Sequence, residues 1–370
     1  MPQFESASVS TAPQPDLHKR LHEAIHEHGG WLPFDAFMAL ALYAPGLGYY
    51  ARSSRQFGAM PSMGSDFVTA PELSPLFAAA LAVQVRQALA ASESGEVIEF
   101  GAGSGALAEG LLDALGAGCQ HYAIVELSAA LRERQAKRLA RFGDKVVWLE
   151  RLPENIHGVV LGNEVLDAMP VQLLHFDGDT WHERGVALRG DEFAWADRAT
   201  TLRPPLADAA FVPGTVTEIH PQAEAFIRTL ADSLTRGAAF FIDYGFPEAE
   251  YYHPQRTGGT LMCHRAHLMD TDPLADVGEK DITAHVNFSG IALVAQDAGL
   301  QVDGYTSQAH FLFNCGLAPL LQAADLRQRA SAQKLVVEHE MGELFKVIAF
   351  SRGLSWQPLG FAQGDRSHRL

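Results

Sequence analysis

The acidic residues best suited to chemistry in this sequence each follow a run of apolar residues. Glu126, Glu164 and Asp243 stand at the ends of such runs. In an open parallel sheet, ligands bind beyond the carboxyl ends of the strands. Glu164 and Asp167 are three residues apart, which in one helical turn places both carboxylates on one face. These acids are candidates for orienting a substrate or accepting a proton, although capping by Asn163 or a turn at Asp243 would explain the same residues.

A glycine-rich segment precedes them in the chain, where residues 97–106 read VIEFGAGSGA. Glycines at alternate positions, Gly101, Gly103 and Gly105, let the backbone turn sharply and come close to a ligand. The helix expected next, to about Leu115, presents free N–H groups and the positive end of its dipole to an anionic group. The segment therefore predicts a cradle for a nucleotide-type ligand.

Two ligands match this cradle. The segment satisfies the dinucleotide fingerprint, because it has a G-x-G-x-x-A pattern from Gly101 and an acidic residue, Glu126, about twenty residues further along the chain. As an E-x-G-x-G-x-G pattern from Glu99, it is the loop of S-adenosylmethionine (AdoMet) methyltransferases. Glu99 favours AdoMet, because its carboxylate can receive the ammonium of the methionine moiety and would repel a pyrophosphate. Glu126 can accept both ribose hydroxyls in either case, and a plain strand–helix turn is the third interpretation.

A literal H-E-x-x-H pattern occupies His22 to His26. Two imidazoles four residues apart on a helix could hold zinc, with Glu23 as a base. The downstream sequence offers no obvious third ligand, and His18, His22 and His26 also flank an apolar stripe as an ordinary polar face would. We interpret the pattern as a solvated helix face and predict no metal.

Composition narrows the class of protein. The chain has 28 basic and 44 acidic residues, a net charge of −16, which argues against non-specific binding to nucleic acid and favours a basic partner. Its three cysteines are far apart, as in proteins of reducing compartments. The sequence has no apolar run of the roughly 18 residues that a membrane helix needs. Residues 1–15 lack a secretion or transit pattern, so we expect a disordered tail on a cytoplasmic protein.

Apolar runs alternate with helical patterns from the glycine segment onward. The predicted strands are residues 97–100, 122–126, 146–149, 158–162 and 238–245. Continuous apolar runs separated by helices indicate an α/β fold with a parallel sheet covered on both faces. Residues 171–196 instead alternate in short segments with Gly-Asp turns, which predicts an inserted antiparallel sheet.

These patterns divide the chain into a core with additions. The predicted parts are a tail at 1–15, a helical cap and cofactor-covering loop at 16–92, a core at 93–355 with insertions at 171–215, 246–286 and 310–340, and a C-terminal tail at 356–370.

Several motifs occur together in one order. They are Gly48-Tyr49-Tyr50, Gly64-Ser65-Asp66-Phe67-x-Thr69-x-Pro71-Glu72, Glu99-x-Gly101-x-Gly103-x-Gly105, Asn163-Glu164-x-x-Asp167-Ala168-x-Pro170-Val171, Asp243-Tyr244-Gly245 and Asp281-x-Thr283-Ala284-His285-Val286. In this combination, over about residues 46–315, the chain resembles the MidA family of AdoMet-dependent methyltransferases, which is related to the mitochondrial complex I assembly methyltransferase.

The resemblance implies a class I methyltransferase (Rossmann-like) fold with a seven-stranded sheet. Its last two strands would form an antiparallel hairpin, here 302–307 and 344–351. It also implies that the loop at 64–74 folds over the cofactor. The expected cofactor-binding residues are Glu99, Gly101, Ala102, Gly103, Gly105, Glu126, Asn163, Asp66, Phe67 and Thr69. The expected catalytic residues are Glu164, Asp167 and Asp243.

The implied activity is AdoMet-dependent methyl transfer to protein, with arginine as the expected acceptor. The mitochondrial relative dimethylates an arginine of a complex I subunit, so the resemblance predicts a basic protein segment, such as that of a respiratory complex subunit. Two alternatives stay open from the residues: an NAD-linked oxidoreductase, and an assembly factor that binds AdoMet without transferring its methyl group.

Overall fold

The structure is a computed structural model that describes residues 16–51, 69–265 and 268–370. Its strands are β1 (Trp31–Pro33), β2 (Glu96–Phe100), β3 (His121–Val125), β4 (Val146–Leu149), β5 (Ile156–Asn163), β6 (Gln172–Phe176), β7 (Trp181–Arg189), β8 (Glu192–Ala199), β9 (Val216–Ile219), β10 (Leu234–Phe246), β11 (Met262–Arg265), β12 (Leu268–Asp270), β13 (Asp281–Thr283), β14 (Val286–Asn287), β15 (Gln301–Ser307) and β16 (Phe345–Arg352). Its α-helices are α1 (Leu17–Glu27), α2 (Phe34–Tyr43), α3 (Ala70–Leu73), α4 (Pro75–Ser92), α5 (Ala106–Leu115), α6 (Ala129–Leu139), α7 (Pro221–Ser233), α8 (Glu248–Tyr251), α9 (Phe288–Asp297), α10 (Gln308–Asn314), α11 (Leu317–Ala323) and α12 (Leu326–Val336).

The centre of the fold is a mixed sheet in the order β15-β16-β10-β5-β2-β3-β4. Strands β10, β5, β2, β3 and β4 are parallel, and β16 runs antiparallel between β10 and β15. This is the predicted class I methyltransferase sheet with its antiparallel hairpin. Among the described residues, the short strand β14 adds an eighth member by pairing with the end of β10, which the sequence did not predict.

Strand β10 shows why the sheet is covered on both faces. Its residues are buried almost without interruption and alternate between two cores. Phe240 packs into the core that contains Leu81 of α4, whereas Phe241 packs into the core that contains Ile227 of α7. The continuous apolar run predicted this two-sided burial, and α4, α5 and α10 lie on one face while α7 and α9 lie on the other.

The inserted antiparallel sheet is also confirmed, and it takes a strand from the cap. Strands β6, β7, β8 and β9 form it, and β1 pairs with β7 at its edge. A Cβ on Gly185 would lie 2.4 Å from the carbonyl oxygen of Leu32, so the glycine allows β1 to come this close. Phe37 of α2 and Leu21 of α1 pack in the same core as Leu173 of β6. The cap therefore rests on the insertion and reaches over the ends of the core strands.

The later insertions surround the same edge of the core. Strands β11, β12 and β13 form a small antiparallel sheet. Helices α10, α11 and α12 form the connection in the sequence from β15 to β16. Residues 356–370, which we divided off as a tail, contact the core: Phe361 is buried, and Arg366 pairs with Glu343. None of the helices in the described ranges is both long enough and apolar enough to cross a membrane.

Candidate active site

The glycine loop lies between the end of β2 and the start of α5. Gly101, Gly103 and Gly105 have φ angles of 63°, 52° and 82°, in the left-handed region where other residues are strained. A Cβ on Gly101 would lie 2.9 Å from Cγ2 of Val165, in the turn after β5. The loop, with Ala102, lines a cavity at the carboxyl ends of the parallel strands, where the sequence predicted a ligand site.

Glu99, at the end of β2, lines this cavity beside the loop. The hydroxyl of Tyr122 on β3 donates a hydrogen bond of 2.7 Å to Oε2 of Glu99. Burial raises the pKa of Glu99 to about 7, against the opposing effect of the Tyr122 hydrogen bond. A carboxyl group with a neutral pKa is readily ionised by a bound cation, so Glu99 is suited to an ammonium group.

Glu126 follows β3 and lines the cavity on the other side of the loop. Its carboxylate accepts hydrogen bonds from the Ser128 N–H at 2.9 Å and from Nε2 of Gln135 at 3.1 Å. Nε2 of Gln135 also donates to the carbonyl oxygen of Gly103 at 3.0 Å, which joins Glu126 to the loop. Gln135 lies on α6 with no motif around it, so sequence reasoning missed this positioning residue.

The chain leaves β5 in a tight turn at Glu164. Glu164 has a φ of 55°, which costs a residue with a side chain about 1–2 kcal/mol. Nδ2 of Asn163 donates to Oε1 of Glu164 at 2.9 Å, and the Ala70 N–H of α3 also donates to this carboxylate. Burial, reinforced by the negative charge of Asp167, raises the pKa of Glu164 to about 8.

Asp167 lies in the same turn and is almost completely buried. The hydroxyl of Tyr244, near the end of β10, donates to Oδ2 of Asp167, and Oδ1 of Asp167 is buried without a partner among the described residues. Burial raises the pKa of Asp167 to about 6, against the effect of the Tyr244 hydrogen bond. Residues 164–170 form an irregular turn and not the helical turn that the spacing suggested, but Glu164 and Asp167 both line the cavity.

Asp243 supports the turn that carries Glu164. Its Oδ2 accepts hydrogen bonds from three successive N–H groups, those of Val165, Leu166 and Asp167, at 3.1, 2.9 and 3.2 Å. Its Oδ1 accepts from the Tyr244 N–H at 3.0 Å. The side chain is 1% exposed and is not part of the cavity lining. Asp243 therefore holds the turn that carries Glu164, as a positioning residue would, and its catalytic role stays a prediction.

We expect Asp243→Ala to destabilise the protein by about 3–5 kcal/mol, because it leaves several buried N–H groups without an acceptor at about 1–3 kcal/mol each. Asp243→Asn keeps one carbonyl oxygen and should cost about half as much. Urea unfolding of both variants beside the wild type measures the difference. An Asp243→Ala midpoint equal to that of the wild type would show that these hydrogen bonds do not hold the turn.

The cap supplies the opposite wall of the cavity. The rings of Tyr43 and Tyr50 stack with centroids 5.5 Å apart. Tyr43 donates to the carbonyl oxygen of Ala168 at 2.8 Å, and Tyr50 donates to both carboxylate oxygens of Asp281 at 2.9 Å. The sequence left Asp281 undecided between capping and the site, and the structure brings it to the cavity. Tyr43 carried no sequence signal, whereas Tyr50 belonged to the Gly48-Tyr49-Tyr50 motif.

Of the three contacts predicted on the covering loop, Thr69 immediately precedes α3 and lines the cavity. Asp66 and Phe67 lie outside the described residues. Helix α3 is joined to the glycine loop through Glu72, which accepts from the Ser104 hydroxyl and from Nη1 of Arg138, the latter at 3.1 Å. The start of α3 therefore contacts both the cofactor loop and Glu164.

The cavity has a volume of about 1950 Å³. Sites for small molecules are typically about 300–1,000 Å³, so this cavity has room for more than a nucleotide-type ligand. Its acidic lining residues at the strand ends are Glu99, Glu126, Glu164, Asp167 and Asp281.

The H-E-x-x-H segment lies on α1, away from this cavity. The rings of His18 and His22 pack on Phe193, with centroids 4.7 and 5.2 Å away. Within the described ranges, no three His, Cys, Asp or Glu side chains come together as metal ligands would.

Comparison with known proteins identifies the family. Residues 76–306 match the model of a family described as S-adenosyl-L-methionine-dependent methyltransferases. The chain belongs to this family. A crystal structure from Burkholderia thailandensis, of a protein assigned as a methyl transferase and bound to S-adenosyl-homocysteine, is 51% identical, with a TM-score of 0.92 over 96% of each chain. A second Burkholderia thailandensis structure is 49% identical, with a TM-score of 0.86 over 96% of each chain.

Curated relatives of this methyltransferase are more distant. One is the protein arginine methyltransferase NDUFAF7 homolog, mitochondrial, of Caenorhabditis elegans, which is 27% identical over 82% of this chain and 78% of the relative. Another is the mouse protein arginine methyltransferase NDUFAF7, mitochondrial, which is 28% identical over 85% of this chain and 79% of the relative.

The cofactor of this methyltransferase is AdoMet, and the family decides against the NAD-linked interpretation of the loop. The site fits AdoMet on its own chemistry. Glu99 would hold the ammonium group and Glu126 the ribose hydroxyls, and Gly101 and Gly103 bring backbone without side chains to the cavity wall beside them. Oδ1 of Asn163 is buried beside them without a partner among the described residues, so an acceptor is available to the bound cofactor.

Proposed function

We propose that this methyltransferase modifies an arginine side chain of a protein. The observation that carries the proposal is the group of three carboxyl side chains, Glu164, Asp167 and Asp281, at one end of the cavity. They are close enough that Asp167 and Asp281 both raise the pKa of Glu164. A guanidinium is a planar cation whose five N–H donors match carboxylate pairs, so an arginine would relieve the repulsion within this group.

The chemistry also requires an acid–base group. The bound cofactor supplies a methyl group on a positively charged sulfur. A guanidinium keeps its proton at neutral pH, so the enzyme must aim one nitrogen and accept the proton that this nitrogen loses. Glu164 is suited to hold that proton, since its pKa is raised to about 8. Asp167, fixed by Tyr244, would orient the guanidinium next to it.

Two further observations support a protein substrate. The cavity volume exceeds that of ordinary small-molecule sites, and the curated relatives are named protein arginine methyltransferases. A subunit of a respiratory complex as substrate stays a prediction. A cytoplasmic location is part of the proposal and depends on the cysteines, which are free and buried in the described residues, whereas the curated relatives are mitochondrial by name.

The test is the type of residue that receives the methyl group. The purified full chain would be incubated with labelled AdoMet and a lysate from a strain that lacks it, and the modified peptides identified by tandem mass spectrometry. We expect label on arginine. Label on lysine or another residue would overturn the arginine assignment. No transfer, with AdoMet binding retained in calorimetry, would favour the non-catalytic assembly factor.

The pH dependence of kcat/KM should follow the ionisation of Glu164. Its pKa of about 8 keeps the carboxyl group protonated at lower pH, and only the ionised form accepts a proton. We therefore expect kcat/KM for an arginine peptide to rise about tenfold per pH unit below pH ~7.5 and to level off above pH ~8.5. The kcat profile should lie at lower pH, because a bound guanidinium stabilises the carboxylate. A flat kcat/KM profile across this range would contradict the assignment.

A further inference from the structure

Helix α12 places positive charge on the wall of a cavity whose floor is acidic. Arg327 and Lys334 both line the cavity and are exposed. Neither side chain forms a hydrogen bond or an ion pair with another residue in the described part of the chain. In a protein with a net charge of −16, two cations at the mouth of the active site that have no acidic partner among the described residues need a functional explanation.

The two cations are arranged along one face. They are seven residues apart, so they lie on the same side of the helix, and Ser331 between them also lines the cavity. The third cation of the helix, Arg329, forms hydrogen bonds with the chain before α12. Its Nε donates to the carbonyl oxygen of Ala324 and its Nη2 to that of Gln322, both at 2.9 Å. The helix has no acidic residue of its own. Arg327 and Lys334 are therefore the charges that α12 presents to a ligand.

The spacing indicates the size of that ligand. Seven residues of helix span about 10.5 Å, which equals about three residues of an extended peptide. A single carboxylate, such as that of the cofactor, would meet both cations only if the two side chains leaned toward each other, whereas two acidic residues of an extended peptide match the span directly. Glu340 also lines the cavity beyond the end of α12, but no ion pair joins it to either cation.

We propose that α12 binds an acidic segment of the protein substrate while the arginine of the same substrate enters the acidic end of the cavity. This inference rests on the proposed function and adds a specificity element to it. The substrate would carry acidic residues beside its target arginine, and Arg327 and Lys334 would be specificity-determining residues that take no part in methyl transfer.

Binding of labelled peptides by fluorescence anisotropy, with S-adenosylhomocysteine present, tests the inference without requiring turnover. Each peptide has one central arginine and two aspartates separated by two alanines, on either its amino or its carboxyl side, and a matched peptide has glutamines in place of the aspartates. We expect one of the aspartate peptides to bind about five- to tenfold more tightly than its glutamine match at low salt. The advantage should disappear in the Arg327→Gln/Lys334→Gln double variant.

Arg329→Gln is the control, since it removes one positive charge from the same helix without changing the cavity lining, and the advantage should persist in it. Equal binding of aspartate and glutamine peptides by the wild type would overturn the inference. So would an advantage that survives in the double variant, or a double variant that instead loses affinity for S-adenosylhomocysteine. Failure of the arginine assignment would show separately, as methyl transfer to another residue type.

Discussion

Glu164→Gln should lower turnover by about 10²–10⁴-fold and leave AdoMet affinity within about threefold of the wild type. Glutamine has the same shape, and its carbonyl oxygen can accept from Nδ2 of Asn163 as the glutamate does. It cannot take a proton from a guanidinium. Removing a carboxyl group whose ionised form is disfavoured by burial should also leave the free energy of unfolding unchanged or raise it at high pH.

Calorimetric titration with AdoMet and a kcat measurement by release of S-adenosylhomocysteine separate the two effects. Glu133→Gln is a matched control, because Glu133 is an exposed residue on α6 that pairs only with Lys137 at 2.7 Å. Turnover of Glu164→Gln within tenfold of the wild type would remove Glu164 from proton transfer. A loss of AdoMet affinity would instead make it a cofactor ligand.

The parts of the fold that the sequence predicts are those in which local pattern and tertiary environment agree. Strand β10 is apolar along its length because both of its faces are covered, and a continuous apolar run indicates that directly. Strand β1 was missed because it has three residues and ends at a proline, and its partner Ala187 is far away in the sequence. Within the insertion predicted at 310–340, α12 begins where Asp325 and Gln328 form a capping box, a signal that was present in the sequence.

The residues of the site also separate into those that the sequence could predict and those that it could not. Glu99 and Glu164 could be predicted because the ends of parallel strands meet at one edge of the sheet. Tyr122 could not, since its contact with Glu99 depends on the register that pairs Val97 of β2 with Tyr122 of β3. The strand-end position of Asp243 carried no information about the three N–H groups from which its carboxylate accepts hydrogen bonds.

Gly101→Ala should weaken AdoMet binding by about 30-fold or more. The φ of Gly101 is 63°, which costs an alanine about 1–2 kcal/mol, and its Cβ would lie 2.9 Å from Cγ2 of Val165. Val165 is next to Glu164, so relief of this contact requires movement either of the loop or of the turn that carries the carboxylate. The added methyl group also prevents close approach of the ligand to the backbone. Each of these effects acts at the cofactor loop, and together they amount to more than 2 kcal/mol.

Gly190→Ala separates the effect of the site from that of backbone strain. Gly190 lies between β7 and β8 with a φ of 64°, and a Cβ there would have no atom within 4 Å. Both variants should lose stability in urea unfolding from backbone strain, with a further loss in Gly101→Ala from the contact with Val165, but only Gly101→Ala should lose AdoMet affinity in calorimetry. Equal affinities in the two variants would mean that the loop tolerates a side chain at Gly101. The close approach of backbone and cofactor would then have to occur at Gly103 or Gly105, whose φ angles are also positive.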